Sequence, residues 1–246
     1  MLAWRSRPHA KPPSNPPESM RLVWLFDIDG TLLLTDGAAR EAFALAVALR
    51  FPGRDPLSDV AFAGRVDPLI LRDILARHGA TLAAEEEADF WDTVLDHMHR
   101  CLVPGRGRVL PGVPEVLNAV DDEPGWVSAL LTGNMTRMAR LKLGHFGLTD
   151  RFAFGAFGEE AEDRNALARI AVSRAGARFG VPAERCIVVG DTEHDIACAR
   201  AAGARVVAVA TGSQPASVLA SHRPDLLLDD LRDVAGLVEW ARSVAE

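Results

Sequence analysis

Cysteine is scarce in this chain of 246 residues: Cys101, Cys186 and Cys198 lie far apart, without CxxC spacing. That excludes a disulfide framework and a cysteine-built metal knuckle, and it fits a reducing cytoplasm. Long apolar runs are missing as well. None approaches the roughly 18 residues that a bilayer-spanning helix needs, so no membrane partner is expected. Basic charge is in deficit, with 27 Lys and Arg against 34 Asp and Glu for a net charge of −7. This argues against a nucleic-acid partner, which calls for a basic face to neutralise phosphates. No GxGxxG follows an apolar run, which counts against a dinucleotide site. His97 and His99 sit two apart on a helical pattern and face different directions, so they make a poor metal pair.

What is present is a globular composition, 48% hydrophobic and 25% charged. Short runs rich in Val, Leu and Ile, at 22–27, 126–132, 186–191, 205–210 and 225–228, alternate with helical patterns such as 164–180. Strands apolar on both faces, separated by helices, predict a doubly wound α/β fold with a parallel sheet. Residues 1–19, rich in proline and basic groups, read as a disordered tail, with Met20 directly before the first strand. About a hundred residues separate the first two strands, far more than one crossover helix needs. Helical patterns at 38–51, 67–79 and 86–102 fill that gap. The expected organisation is therefore an α/β core over 20–36 and 109–246, with an inserted all-helical cap over 37–108. Residues 103–114 serve as the return hinge, and the cap sits over the crevice at the strand ends.

The first strand runs into Asp27-Ile-Asp-Gly30. Side chains alternate along a strand, so Asp27 and Asp29 point toward the same crevice if strand geometry persists to its end. Two such charges require either a cation such as Mg²⁺ or a proton held on one carboxyl. Gly30 permits a sharp turn that brings backbone N–H groups toward an anion. Two further strands end in polar chemistry: "ALLTGN" (129–134) at Thr132, whose hydroxyl and N–H can donate to a phosphate oxygen, and "VVGDTEHDI" (188–196) at Asp191 and Asp195.

The ordered set "DIDGTL" (27–32), "LLTGN" (130–134), a basic residue and "GDTEHD" (190–195) resembles the haloacid dehalogenase superfamily, over roughly residues 22–240. Its phosphoglycolate-phosphatase-like branch with a helical cap is the most similar. The resemblance implies a Mg²⁺-dependent phosphatase acting on a small phosphorylated metabolite. Asp27 would be the nucleophile that becomes an aspartyl-phosphate, and a metal ligand. Asp29 would be the acid and base, binding metal through its backbone carbonyl. Thr132, with Gly133 and Asn134 beside it, would hold the phosphoryl group, and Gly30 would contribute to the same cradle. Asp191 would complete the metal site, with Asp195 supporting it from behind. The dehalogenases of this superfamily do not carry the second aspartate, which makes dehalogenation the weaker reading.

The family places a lysine between the second and last motifs, and this chain has no lysine after Lys142. Arg164, at the start of a helical pattern 27 residues before Asp191, takes that role by position. Lys142 is the runner-up for that role, but its place on an amphipathic helix just before Gly144 reads more readily as a surface charge favourable at a helix C-terminus. In the cap, Arg65 beside Gly64 is expected to contact an anionic group of the substrate remote from its phosphate. A β-phosphoglucomutase-type mutase shares these acids and this cap class. A receiver-like phosphate-binding module shares the acids, the threonine and the basic residue, but needs neither Asp29 nor a long lid.

Overall fold

The computed structural model describes residues 21–53 and 57–245; the expected tail at 1–19 lies outside them. Among the described residues, a parallel sheet of six strands carries the core: β1 (Leu22–Phe26), β4 (Trp126–Leu131), β5 (Gly155–Ala156), β6 (Cys186–Gly190), β7 (Arg205–Val209) and β8 (Leu226–Leu228). Their order is β5-β4-β1-β6-β7-β8. After β1 the chain steps outward to β4 and β5, then crosses back to β6 on the other side. The winding direction reverses beside β1, where open α/β sheets form their ligand crevice.

Every residue of β1 is buried, and its alternation divides the core. Leu22, Trp24 and Phe26 face one layer, with α4 (Val113–Asp122), α5 (Thr136–His145) and α9 (Val234–Ala245). Val23 and Leu25 face the other, with α6 (Arg164–Phe179), α7 (Glu193–Ala201) and α8 (Ala216–Ser221). The predicted α/β class is thus found, with strand ends within a residue of those read from sequence. The short β5 was not foreseen. Its two residues form part of an aromatic-flanked loop with no strand-length alternation, and it exists because it pairs with Leu130 and Leu131.

Between β1 and β4 the chain forms α1 (Ala38–Arg50), α2 (Asp67–His78) and α3 (Ala84–Cys101), close to the expected helices. They enclose an apolar cluster of their own, including Phe43, Ile70, Ile74, Trp91 and Val94, joined from the core by Met138 of α5. At the root of this excursion the outgoing strand β2 (Leu33–Leu34) pairs antiparallel with the returning β3 (Arg108–Val109). The two connections therefore leave and re-enter side by side, above the C-terminal edge of the sheet.

Candidate functional site

Parallel register brings the polar residues together. Phe26 aligns with Leu130 on one side and Val189 on the other, so the residues just past the three strands are neighbours. Asp27 continues β1, its N–H donating to Val189 O at 3.0 Å. Asp191 follows β6, and Thr31 Oγ1 donates to its Oδ1 at 3.1 Å. Arg164 is the first residue of α6, whose N-cap Asp163 accepts from Ala166 N. From there its guanidinium reaches Asp27 Oδ1 at 3.2 Å and also pairs with Asp195.

Asp27, Asp191 and Asp195 are all buried and bring one oxygen each within 4.8 Å of one another. Burial is the main force pushing the Asp27 carboxyl up to about 6; Arg164 opposes it, and Asp195 and Asp29 add to it. Asp191 is pushed upward by burial and then by the charges of Asp195 and Asp27. Burial opposes the charge of Arg164, but Asp195 and Asp27 more than offset this and hold it firmly protonated. Two buried carboxyls, Asp27 and Asp191, that disfavour ionisation side by side fit a hard divalent cation. Asp195 contributes differently from the other two, because Arg164 engages its Oδ1 and the N–H and hydroxyl of Thr192 engage its Oδ2. It orients the arginine and caps α7 from behind the site.

Glycine makes room for this packing. At Gly30, with φ of +83°, a Cβ would overlap the Asp191 carboxylate, as would one at Gly212. Gly30 makes the sharp turn and lines the cavity, while its own N–H donates to Leu33 O. Thr132 departs from expectation: its backbone N–H donates to Ala156 O at 3.1 Å and is taken by the sheet. Its fully buried hydroxyl accepts from the Asn134 side chain at 2.8 Å, while Gly133 and Asn134 line the cavity itself.

The largest correction concerns Lys142, expected from sequence to be a surface charge. It is 3% exposed and belongs to the site. Its Nζ lies 2.6 Å from Asp29 Oδ2 and 2.6 Å from Asn134 Oδ1, while Asn134 Nδ2 donates to Asp29 Oδ2 at 2.8 Å. Asp29 is thus clamped by two side chains on the loop and helix that follow β4. The buried face of α5 runs through Met138, Ala139, Lys142 and Leu143, so Lys142 is one turn beyond an inward-facing methionine. That i,i+4 relation was the available signal. Asp67, which the sequence marks only as the start of the helical pattern at 67–79, also belongs here. Its carboxylate accepts from Met135 N at 2.8 Å and its N–H donates to Gly133 O at 2.8 Å, tying α2 to the loop after β4.

A cavity of about 400 Å³ connects these groups with the helical excursion above. Arg65 lines it, but its guanidinium pairs with Asp73 of α2. The loop carrying it presses on the core: a Cβ on Gly133 would overlap the Arg65 carbonyl, and one on Gly64 would overlap His194 and Thr192.

Comparison with known proteins decides the family, for the profile of haloacid dehalogenase-like hydrolases matches residues 23–203. The chain belongs to the haloacid dehalogenase-like hydrolases. Within them it falls in the phosphoglycolate-phosphatase-like branch and is a phosphoric monoester hydrolase. It is 31% identical to a phosphoglycolate phosphatase of Cereibacter sphaeroides, over 82% of this chain and 96% of that protein. A 5'-nucleotidase of Pseudomonas aeruginosa is 27% identical over 87% and 94%. Among solved structures, a predicted phosphoglycolate phosphatase from Haemophilus somnus superimposes with a TM-score of 0.70 at 21% identity, covering 89% of this chain and 98% of that one. No helix among the described residues is long and apolar enough to cross a membrane.

Proposed function

We propose that this hydrolase cleaves a small phosphomonoester through an aspartyl-phosphate on Asp27, with Mg²⁺ as cofactor. The observation that carries the reading is the convergence of Asp27 and Asp191, at the ends of adjacent parallel strands, with Arg164 from the start of α6, all facing a cavity, and Asp195 behind them. Asp27, Asp191 and the backbone carbonyl of Asp29 are the groups that would hold the ion, with Asp195 behind them. When bound, Mg²⁺ supplies positive charge that neutralises the acids and the phosphoryl oxygens.

Asp27 Oδ attacks phosphorus, the ester P–O bond breaks, and the departing alkoxide takes a proton from Asp29. Asp29 then takes a proton from water as that water attacks the phospho-aspartate, which restores Asp27 and frees phosphate. Lys142 and Asn134 keep the Asp29 carboxyl directed for both steps. Arg164 neutralises charge on the transferring group, and its Nε is buried without a partner among the described residues, an atom a phosphoryl oxygen would satisfy. Residues 37–108 act as a cap that excludes bulk water, tied down through Asp67 and the Gly64–Arg65 loop.

The relatives' names, phosphoglycolate phosphatase and 5'-nucleotidase, share the phosphomonoester and differ in the organic group. The test is phosphate release across phosphorylated metabolites with Mg²⁺ and with chelator. Release that requires the metal and vanishes in a folded Asp27→Asn protein supports the reading. Release indifferent to both overturns it.

A further inference from the structure

The far end of the cavity differs in chemistry from the acidic end. Phe43, Phe62, Ile70 and Met138 form its wall, with Arg40 and Arg65 as the cations at that end. Both are engaged within the protein, although Arg40 stays exposed to solvent. Two nitrogens of Arg40 donate to the carbonyls of Val60 and Leu57, at 3.3 and 3.0 Å, and its guanidinium lies 5.0 Å from the centre of the Phe62 ring. Arg65 is taken by Asp73. An anionic group placed here would give up its water largely for aromatic and aliphatic surface, beside cations already engaged by carbonyls, a ring and Asp73. Phe43 and Phe62 meet edge to face, with centroids 5.4 Å apart and planes at 86°. Such a pair extends naturally to a third ring at the wall. The cavity, at about 400 Å³, is also far larger than a phosphorylated two-carbon acid requires.

We propose that this end of the cavity receives an uncharged organic group with a flat, apolar ring. The preferred substrate is then the phosphomonoester of a ring-bearing alcohol, not one with a second anionic group. The inference rests on the phosphatase reading above and names the substrate class of that same site. It also replaces the expectation that Arg65 reads a remote anion.

The test compares kcat/KM with Mg²⁺ for benzyl phosphate, 2-phosphoglycolate and acetyl phosphate. The first two leave as alkyl alkoxides, so their difference reports the organic group; the third, an acyl phosphate with only a small acetyl group and a better leaving group, is the reference for phosphoryl transfer itself. Benzyl phosphate is expected to exceed phosphoglycolate at least tenfold. Phe62→Ala should lower the benzyl-to-acetyl ratio of kcat/KM about tenfold, and Phe62→Leu, which keeps an apolar wall, by less. A preference for phosphoglycolate, or turnover of acetyl phosphate alone, overturns the inference while leaving the phosphatase intact. An unchanged ratio in Phe62→Ala overturns it too. Release from none of the three overturns this inference, and the metabolite panel with Mg²⁺ and chelator then decides the phosphatase reading separately.

Discussion

Lys142 Nζ sits 2.6 Å from Asp29 Oδ2, a buried ammonium beside the second carboxylate of the DxD pair. The contact links the last turn of α5 to the loop after β1, so Asp29 is oriented by residues more than a hundred positions away. Lys142→Met keeps the apolar stem and removes the charge. It is expected to lower kcat roughly 10²-fold with a smaller change in KM, because in the proposed mechanism Lys142 touches the proton-transfer group and not the transferring phosphate. Steady-state kinetics on a well-turned-over phosphomonoester checks this. A change confined to KM would place Lys142 on the substrate instead.

Arg164 lies between Asp27 and Asp195, all three buried. Removing it leaves uncompensated charges, so Arg164→Ala should cost roughly 3–5 kcal/mol of stability as well as activity. Arg164→Lys supplies charge without the fork and should recover part of both. Urea denaturation alongside kinetics measures the two losses; a fully stable but inactive Arg164→Ala would contradict the structural half.

Asp67 carries a pH dependence of definite sign. Burial is the main cause pushing its carboxyl from 3.8 to about 7, against the lowering influence of Lys142. Between those values the folded chain holds a proton that the unfolded chain has released, so this group's contribution to stability falls as pH rises and levels off above about 7. The full difference is at most about 4 kcal/mol. Asn at 67 keeps an acceptor for Met135 N without the charge. Asp67→Asn should therefore gain stability relative to the parent chain at pH 8 compared with pH 5, as read by urea denaturation at both. A difference independent of pH would show that Asp67 stays ionised throughout.

Mg²⁺ should raise the Tm, since an ion bound only by the folded state stabilises it by mass action. Asp191→Asn should abolish that rise. So should Gly30→Ala, because its Cβ would displace the Asp191 carboxylate. Calorimetry with and without Mg²⁺ reads the effect directly.

The fold was legible because apolar runs such as "LVWLF" (22–26) and "CIVVG" (186–190) are too short for helices and too uniformly apolar for exposed strands. The core acids were legible because strand ends in a parallel sheet share an edge. What escaped was whatever depends on contact across long sequence distance. Nothing local tells Lys142 that Asp29 waits on the opposite loop, and lysines near helix C-termini are ordinarily solvated. The N–H of Thr132 is claimed by Ala156, on a strand too short to read. Arg65 finds Asp73 eight residues on, across a loop and a turn of α2, where the side chain's direction decides between partner and substrate.

The most direct measurement on the central claim is capture of the covalent intermediate. Asp29→Asn should form it from a substrate with a good leaving group and release it slowly, since the base that activates water is gone. Rapid acid quench followed by peptide mass spectrometry should find one phosphoryl group on Asp27, and none in an Asp27→Asn, Asp29→Asn double variant. A phosphoryl group on any other residue, or turnover without one in a chain lacking the Asp27 carboxylate, would contradict the account.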